Sequence, residues 1–240
     1  MTRFLDQFKI ILLDMNSTFM FGEDRFNVGT DFFLTYQRFG GVRLESAAVN
    51  SAIRNCYTQM SSIYEDSTQM DNFPTLAEGL RKYAAIEDID LPILEAVFAY
   101  HELGRIPDSY AACLTRLSRS HRLGLVSNIW AKKAAWLAEF ERAGISNIWQ
   151  TRVFSSDTRS IKPSPRLFRV AMDAFDAALT DFVFVGDSLR VDVAPAKSFG
   201  WATVWITSLA DAHPLADVVV SSLLELETLP AKPAFHPCVP

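Results

Sequence analysis

The sequence is poor in residues that cross-link a chain or bind zinc. Its 240 residues include only three cysteines, Cys56, Cys113 and Cys238, which lie far apart, and four histidines without the spacing of metal ligands. This pattern argues against a disulfide framework and against a cysteine–histidine zinc site. We therefore expect a protein of a reducing compartment, the cytoplasm.

Long apolar runs and a surplus of positive charge are also lacking. No stretch approaches the roughly 18 apolar residues that a membrane span requires, and the first residues include charges too early for a signal peptide. The 23 basic and 28 acidic residues give a net charge of −5, without a dense Lys/Arg stripe. We expect neither nucleic-acid nor membrane partners. The oligomeric state stays open.

The chain opens with an apolar run that ends in a carboxylate. Ile10–Leu13 has the length and composition of a buried strand, and Asp14, Asn16 and Ser17 follow it. In open α/β sheets, ligands bind at the carboxyl ends of the strands. Asp14 is therefore the first candidate for chemistry.

Strands and helices alternate in the second half of the chain. Short apolar runs at 123–126, 152–154, 182–185, 202–206 and 218–220 are separated by amphipathic segments with helical spacing. Such alternation predicts a parallel sheet with helices on both faces, a doubly wound α/β fold. We expect Asp108 to be an N-cap and a single helix to span 189–199, broken or started near Pro195.

A helical block separates the first strand from the rest of the sheet. Residues from about 28 to 104 show helical periodicity and no strand pattern, which predicts an all-helical module of four or five helices. The predicted domains are an α/β core, residues 1–21 and 106–240, and a helical insertion, residues 22–105. The aromatic segment 19–26 predicts a small hairpin or flap with a solvated Arg25. The proline-rich tail from Pro230 is predicted to be extended.

Complementary polar residues follow four of the predicted strands. They are Asp14, Ser127 with Asn128, Lys162 and Asp187. A parallel sheet would bring them to one rim, where Asp14 could attack phosphorus. A Mg²⁺ ion held by Asp14 and Asp187, together with Lys162, would cancel the charge repulsion. The set suits phosphoryl transfer from a small phosphorylated substrate.

In this arrangement the chain resembles the haloacid dehalogenase-like (HAD) superfamily of hydrolases, most of which are Mg²⁺-dependent phosphatases. Four motifs carry the resemblance, in the family's order and each at a predicted strand end. They are Asp14 to Thr18, Ser127, Lys162-Pro163 and the run from Gly186 to Asp192. The helical insertion is similar to the superfamily's C1 cap, on a Rossmann-like core.

The resemblance implies a role for each residue of the rim. Asp14 would be the nucleophile that forms an aspartyl-phosphate, and Lys162 would bind phosphate. Besides Asp14, the metal would take Asp187 and the backbone carbonyl of Asn16, and Asp192 would lie in its second shell. Ser127 would bind phosphate as well, and its neighbour Asn128 is a further candidate for substrate binding.

Asn16 departs from the family pattern, in which an aspartate protonates the leaving oxygen and then activates water. An amide has no proton to exchange near neutral pH, and general acid–base catalysis contributes about 10²–10⁴-fold. Ser17 also replaces the usual glycine. Three hypotheses follow. The first is a phosphatase that is slow, uses an activated leaving group or takes a base from the cap. The second is a dehalogenase-like carbon-centred hydrolase, and the third is a catalytically weakened binding or regulatory protein.

Overall fold

A six-stranded sheet forms the centre of the molecule. The computed structural model describes residues 3–209 and 212–230; the predicted extended tail after Pro230, which includes Cys238, lies outside them. The strands are Ile10–Leu13 (β1), Arg122–Ser127 (β2), Trp149–Phe154 (β3), Phe182–Gly186 (β4), Ala202–Ile206 (β5) and Val218–Val220 (β6). They are parallel and lie in the order β3-β2-β1-β4-β5-β6.

Four α-helices of the insertion follow β1 in the chain. They are Phe32–Arg38 (α1), Ser46–Glu65 (α2), Leu76–Ala84 (α3) and Leu91–Glu102 (α4), with a 3₁₀ turn at Ser67–Gln69. Helix α3 begins with a capping box in which Thr75 and Glu78 satisfy each other's free N–H groups. The apolar residues of these helices join the apolar cluster of one sheet face.

Helices cover both faces of the sheet. The remaining α-helices are Asp108–Leu117 (α5), Ala134–Arg142 (α6), Pro165–Asp173 (α7) and Ala194–Ser198 (α8). Alternate β1 residues point to opposite faces, since Ile11 and Leu13 pack in the cluster of α5 and α6, whereas Ile10 and Leu12 pack in that of α7 and α8. The predicted doubly wound α/β core is confirmed.

Shorter turns complete the chain. The 3₁₀ turns are Phe4–Gln7, Ser155–Asp157, Leu179–Asp181 and Leu223–Glu227.

Within the described residues no helix combines the length and the apolar character that a membrane crossing needs.

Two helix predictions differ from the structure. Asp108 is the first residue of α5, and Pro107 takes the N-cap position. The predicted helix 189–199 divides into a π-helical turn at Leu189–Val193 and the short α8. Pro195 lies at the start of α8, where its missing N–H removes a bond that a continuous helix would need.

The flap, residues 19–26, does not form a hairpin with itself. Phe21 forms an antiparallel bridge with Arg105, which closes the insertion, through backbone bonds of 2.9 and 2.8 Å. Arg25 is not a solvated charge, because its guanidinium donates to the carbonyl oxygens of Gly22 at 2.5 Å and Leu103 at 2.7 Å, and to that of Tyr100. The flap is thereby tied to the C-terminal end of α4.

Candidate active site

The Asp14 carboxylate lies at the rim, directly beyond the end of β1. Its backbone N–H still donates to the Val185 carbonyl in β4 at 2.9 Å, so the sheet fixes its position. Lys162 Nζ donates to Asp14 Oδ1 at 2.5 Å and to Asp192 Oδ1 at 2.6 Å. The residues Asp14, Lys162 and Asp192 are 4%, 2% and 0% exposed, respectively. A buried cation therefore bridges two buried carboxylates.

The charge state of Lys162 follows from its two partners. Burial alone would lower its pKa, but the charges of Asp14 and Asp192 and the hydrogen bonds to both raise that pKa above its ordinary value. Lys162 thus stays protonated and places a fixed positive charge beside the Asp14 carboxylate. Such a charge favours the approach of an anionic group.

Asn128 holds the backbone of Lys162 in place. Its Oδ1 accepts from the Lys162 N–H at 2.8 Å, and its Nδ2 donates to the Lys162 carbonyl at 3.2 Å. The same Nδ2 donates to the Tyr64 hydroxyl of α2 at 3.1 Å. The amide of Asn128 therefore orients the lysine and also connects the core with the insertion.

Two buried oxygens of the rim have no hydrogen-bond partner in the described part of the chain, Ser127 Oγ and Asn16 Oδ1. Ser127 ends β2, the strand beside β1, and is 1% exposed. A buried hydroxyl without a partner costs free energy unless a ligand or water satisfies it. The Ser127 hydroxyl is therefore available to donate to an oxygen of a bound ligand.

The turn after β4 brings two further carboxylates to the rim. Gly186 leaves the space that Asp192 occupies, since a Cβ at residue 186 would lie 2.6 Å from Asp192 Cβ and Cγ. Asp192 Oδ2 accepts from the Ser188 N–H at 3.0 Å. Both oxygens of Asp192 are thus engaged, whereas Asp187 faces the cavity.

The rim fits a divalent cation. Ligand oxygens of Asp14, Asp187 and Asp192 lie within 4.8 Å of one another. Three carboxylates and the single Lys162 leave an excess of two negative charges. Burial, and then the charges of Asp14 and Asp192, raise the pKa of Asp187 to about 7. A hard cation with oxygen ligands such as Mg²⁺ would relieve this repulsion.

A cavity of about 500 Å³ opens over the rim. Its floor contains the core residues of the rim. Its walls come from the flap, the insertion and the loop after β2, and include Glu23, Asp24, Tyr57, Tyr64, Glu65, Glu102 and Trp130. The volume lies within the range of small-molecule sites.

Glu102, at the end of α4, links the insertion to the core. Its carboxylate accepts from the Trp130 N–H at 2.5 Å and the Ala131 N–H at 2.9 Å, and the residue is 4% exposed. Burial raises the pKa of Glu102 to about 8; the two N–H groups oppose this, and the charge of Asp24 adds to it. The acid is thus held largely neutral at physiological pH.

Asp24 lies in the flap with a left-handed backbone, φ 53°. Part of its side chain is open to the cavity, yet the surrounding protein, and then the charge of Glu23, raise its pKa to about 6. Its charge also raises the pKa values of Tyr57 and Glu102, which line the same cavity.

Some residues of the site were predicted from the sequence, and others were found only in the structure. Asp14, Asn16, Ser127, Asn128, Lys162, Asp187 and Asp192 converge at the rim, and all of them except Ser127 line the cavity. Glu23, Asp24 and Glu102 were missed. The acidic pair in the flap was the one signal for the first two, whereas nothing in its helical periodicity distinguished Glu102 from a solvated charge.

Residues 161–226 match the model of the HAD-hydrolase-like family, a segment that contains Lys162, Asp187 and Asp192. Among curated proteins, the chain is similar to the N-acylneuraminate-9-phosphatase of Mus musculus, 29% identical over 129 residues that cover 52% of this chain and 51% of the relative. The chain spans about half the length of the first curated relatives it matches.

Solved structures share the fold over nearly the whole chain. A HAD phosphatase from Thermococcus onnurineus superposes with a TM-score of 0.62 at 20% identity, covering 91% of this chain and 96% of its own. A 2-haloacid dehalogenase from Pseudomonas syringae pv. Tomato DC3000 gives 0.63 at 17%, covering 92% and 96%. At such identities the likeness shows the fold alone. The family match and the curated relatives agree with this likeness, so the chain is similar to hydrolases of the haloacid dehalogenase-like superfamily.

Proposed function

We propose that the protein is a Mg²⁺-dependent phosphatase that hydrolyses a small phosphorylated metabolite through a phosphoryl group on Asp14. One observation carries the proposal: at one sheet rim, a buried carboxylate bonded to a protonated lysine lines the cavity, and a buried hydroxyl without a partner ends the neighbouring strand. The similarity to phosphatases over half of the chain supports it.

In this reaction Asp14 attacks the phosphorus of the substrate. The sheet holds its backbone, and Lys162 orients Oδ1, which leaves Oδ2 as the attacking oxygen. Attack forms an acyl-phosphate, and water then hydrolyses it to regenerate the carboxylate. Rigid placement of the nucleophile is the main contribution of the sheet to the rate.

The other residues of the rim bind the transferring phosphoryl group. Lys162 supplies a fixed positive charge, and Asn128 keeps its backbone in position. The Ser127 hydroxyl donates to a phosphoryl oxygen and so gains the partner it lacks. These contacts are strongest when charge builds up on the phosphoryl oxygens in the transition state.

Asp14, Asp187 and the backbone carbonyl of Asn16 would hold the metal, with Asp192 behind them, since both of its oxygens are already engaged. A bound Mg²⁺ would neutralise charge on the phosphoryl group and on the carboxylates.

The second candidate, a dehalogenase-like hydrolase, shares the fold but has a different charge requirement. A carbon-centred displacement with a halide leaving group needs no proton donor, which suits Asn16. The excess of negative charge among Asp14, Asp187 and Asp192 suits a metal instead. The phosphatase is therefore favoured.

Turnover of an activated aryl phosphate tests the proposal. We expect phosphate release with Mg²⁺, none with a chelator, and none from Asp14→Asn, while 2-haloacids give no product in chelator. Absence of turnover with Mg²⁺, together with retained binding of metal and phosphate, would support a binding protein instead. Dehalogenation in chelator would overturn the metal assignment.

A further inference from the structure

The proposed reaction needs a proton donor, and Asn16 does not supply one. Cleavage of the bond between phosphorus and an alkyl oxygen leaves an alkoxide, which needs a proton. The amide of Asn16 has none to give near neutral pH. Lys162 is committed to two carboxylates, and Asp14 and Asp187 serve as nucleophile and metal ligand in the proposed function. The donor has to come from elsewhere in the cavity.

Apart from Asp192, whose oxygens are both engaged, four cavity carboxylates remain, and two of them are bonded elsewhere. Both oxygens of Glu102 accept backbone N–H groups. The Glu65 side chain is 69% exposed at the entrance and pairs with Arg190. Asp24 has no hydrogen bond from Ser17 such as Glu23 has, and its charge raises the pKa values of Tyr57 and Glu102.

Glu23, the fourth, lies against the turn that carries Asn16. Ser17 Oγ donates to Glu23 Oε1 at 2.9 Å. Glu23 Oε2 is buried over Gly104 and has no hydrogen-bond partner within the described ranges. One oxygen is therefore oriented by the residue next to Asn16, and the other has no hydrogen bond that would fix its protonation state.

Ser17 itself occupies a backbone conformation that disfavours it. Its φ of 54° lies in the left-handed region, where glycine is the favoured residue. A strained residue that is over-determined by its surroundings often has a functional reason. Here the hydroxyl is what glycine would lack, and it is the group that holds Glu23.

The flap holds Glu23 from both sides. Phe21 pairs with Arg105, and the Arg25 N–H donates to the His101 carbonyl at 2.8 Å. The Arg25 guanidinium also donates to the Gly22 carbonyl at 2.5 Å. Phe21 and Arg25, two residues before and two residues after Glu23, are thus bonded to Arg105 and to the C-terminal end of α4.

On these grounds, and resting on the proposed function, we propose that Glu23 is the general acid and base of the reaction, positioned by Ser17. As Asp14 attacks phosphorus and the bond to the leaving oxygen breaks, the Glu23 carboxylic acid gives its proton to that oxygen. Its carboxylate then takes a proton from the water that attacks the phosphoryl group on Asp14. Phosphate leaves, and both side chains return to their starting forms.

The test compares Glu23→Gln with wild type on an alkyl phosphate and on an activated aryl phosphate, which needs no proton on its leaving group. We expect turnover of the alkyl phosphate to fall about 10²–10⁴-fold. With the aryl phosphate, the variant still forms the intermediate and then stalls, so it releases a burst of one equivalent of phenolate. A merely structural role would lower both reactions alike and give no burst.

Rescue and positioning provide two further readouts. Asn16→Asp should restore alkyl phosphate turnover in the Glu23→Gln background, because it returns a carboxylate to the neighbouring position. Ser17→Gly keeps the left-handed turn without strain but removes the hydroxyl. We expect it to fold normally and to lose turnover of the alkyl phosphate by about one order of magnitude.

Two matched variants complete the design. Glu141→Gln, on the exposed side of α6, should leave both reactions unchanged. If Asp24→Asn, not Glu23→Gln, produces the leaving-group-dependent loss and the burst, the assignment to Glu23 is wrong. Unchanged turnover in Glu23→Gln would overturn it as well, while wild-type turnover would still support the proposed function. Failure of wild type and of Asn16→Asp on both substrates would instead count against the phosphatase itself.

Discussion

The two sides of the cavity are built in different ways. On the core side, Asp14 and Asp187 come directly after neighbouring parallel strands, so sheet register alone brings them together. On the insertion side, Glu23 and Glu102 come from the flap and the end of α4, and tertiary contacts place them. The core side is thus positioned by the sheet itself, while the insertion side depends on contacts between segments that are distant in the fold.

The largest expected effect concerns the core side. Asp14→Asn removes the nucleophile and preserves the shape of the side chain, and Lys162 keeps its bond to Asp192. We expect turnover of an aryl phosphate to fall at least about 10⁴-fold, with an unchanged midpoint of thermal unfolding or a small shift. Retention of a tenth of the activity would show that this rim is not where phosphorus is attacked.

Two lysine variants compare the stability contributed by the buried Lys162 with that of an exposed ion pair between the core and the insertion. Lys162→Met leaves Asp14 and Asp192 buried without their cation, and we expect a loss of about 3–5 kcal/mol in the free energy of unfolding. Lys132, 77% exposed, pairs with Glu95 of α4 at 2.8 Å. Lys132→Met should lose less than about 1 kcal/mol.

Urea unfolding in chelator measures both lysine variants under the same conditions. Equal losses of unfolding free energy in the two variants would mean that the buried lysine stabilises the protein no more than the exposed one.

A smaller, pH-dependent effect concerns the insertion side. The raised pKa of Glu102, about 8, means that the folded state binds this proton more tightly than the unfolded chain. Its contribution to stability is therefore fully present below the unfolded pKa and is lost as pH rises through about 8. Between the unfolded pKa and about pH 8, the free energy of unfolding of Glu102→Gln, measured relative to wild type, should rise by roughly 1 kcal/mol per pH unit. A difference that stays constant with pH would contradict the neutral acid.

Much of the core could be predicted from the sequence because its signals are local. Runs such as Ile10–Leu13 are entirely apolar, as strands buried on both faces are, and the polar residue that ends each run identifies the rim. The helix predicted over 189–199 is broken near Pro195 as expected, but its first part is a π-helical turn. In that turn Asp192 packs over Gly186, a contact that no local pattern reveals.

The insertion side could be predicted only as a set of helices. Periodicity shows which helix face is apolar but not which carboxylate turns towards a partner elsewhere in the chain. Glu102 accepts from backbone groups of the loop after β2, and Glu23 from a hydroxyl six residues earlier. Arg25 was misjudged for the same reason, since its partners are the carbonyl groups at the end of α4.

The most direct test of the account is to find where the phosphoryl group goes. Wild-type protein is mixed with an activated aryl phosphate and Mg²⁺, quenched in acid during turnover, digested and analysed by mass spectrometry. We expect one added phosphoryl group on the peptide that contains Asp14, lost at alkaline pH and absent from Asp14→Asn. Turnover of the aryl phosphate without any phosphoryl group on Asp14, or undiminished turnover by Asp14→Asn, would contradict it.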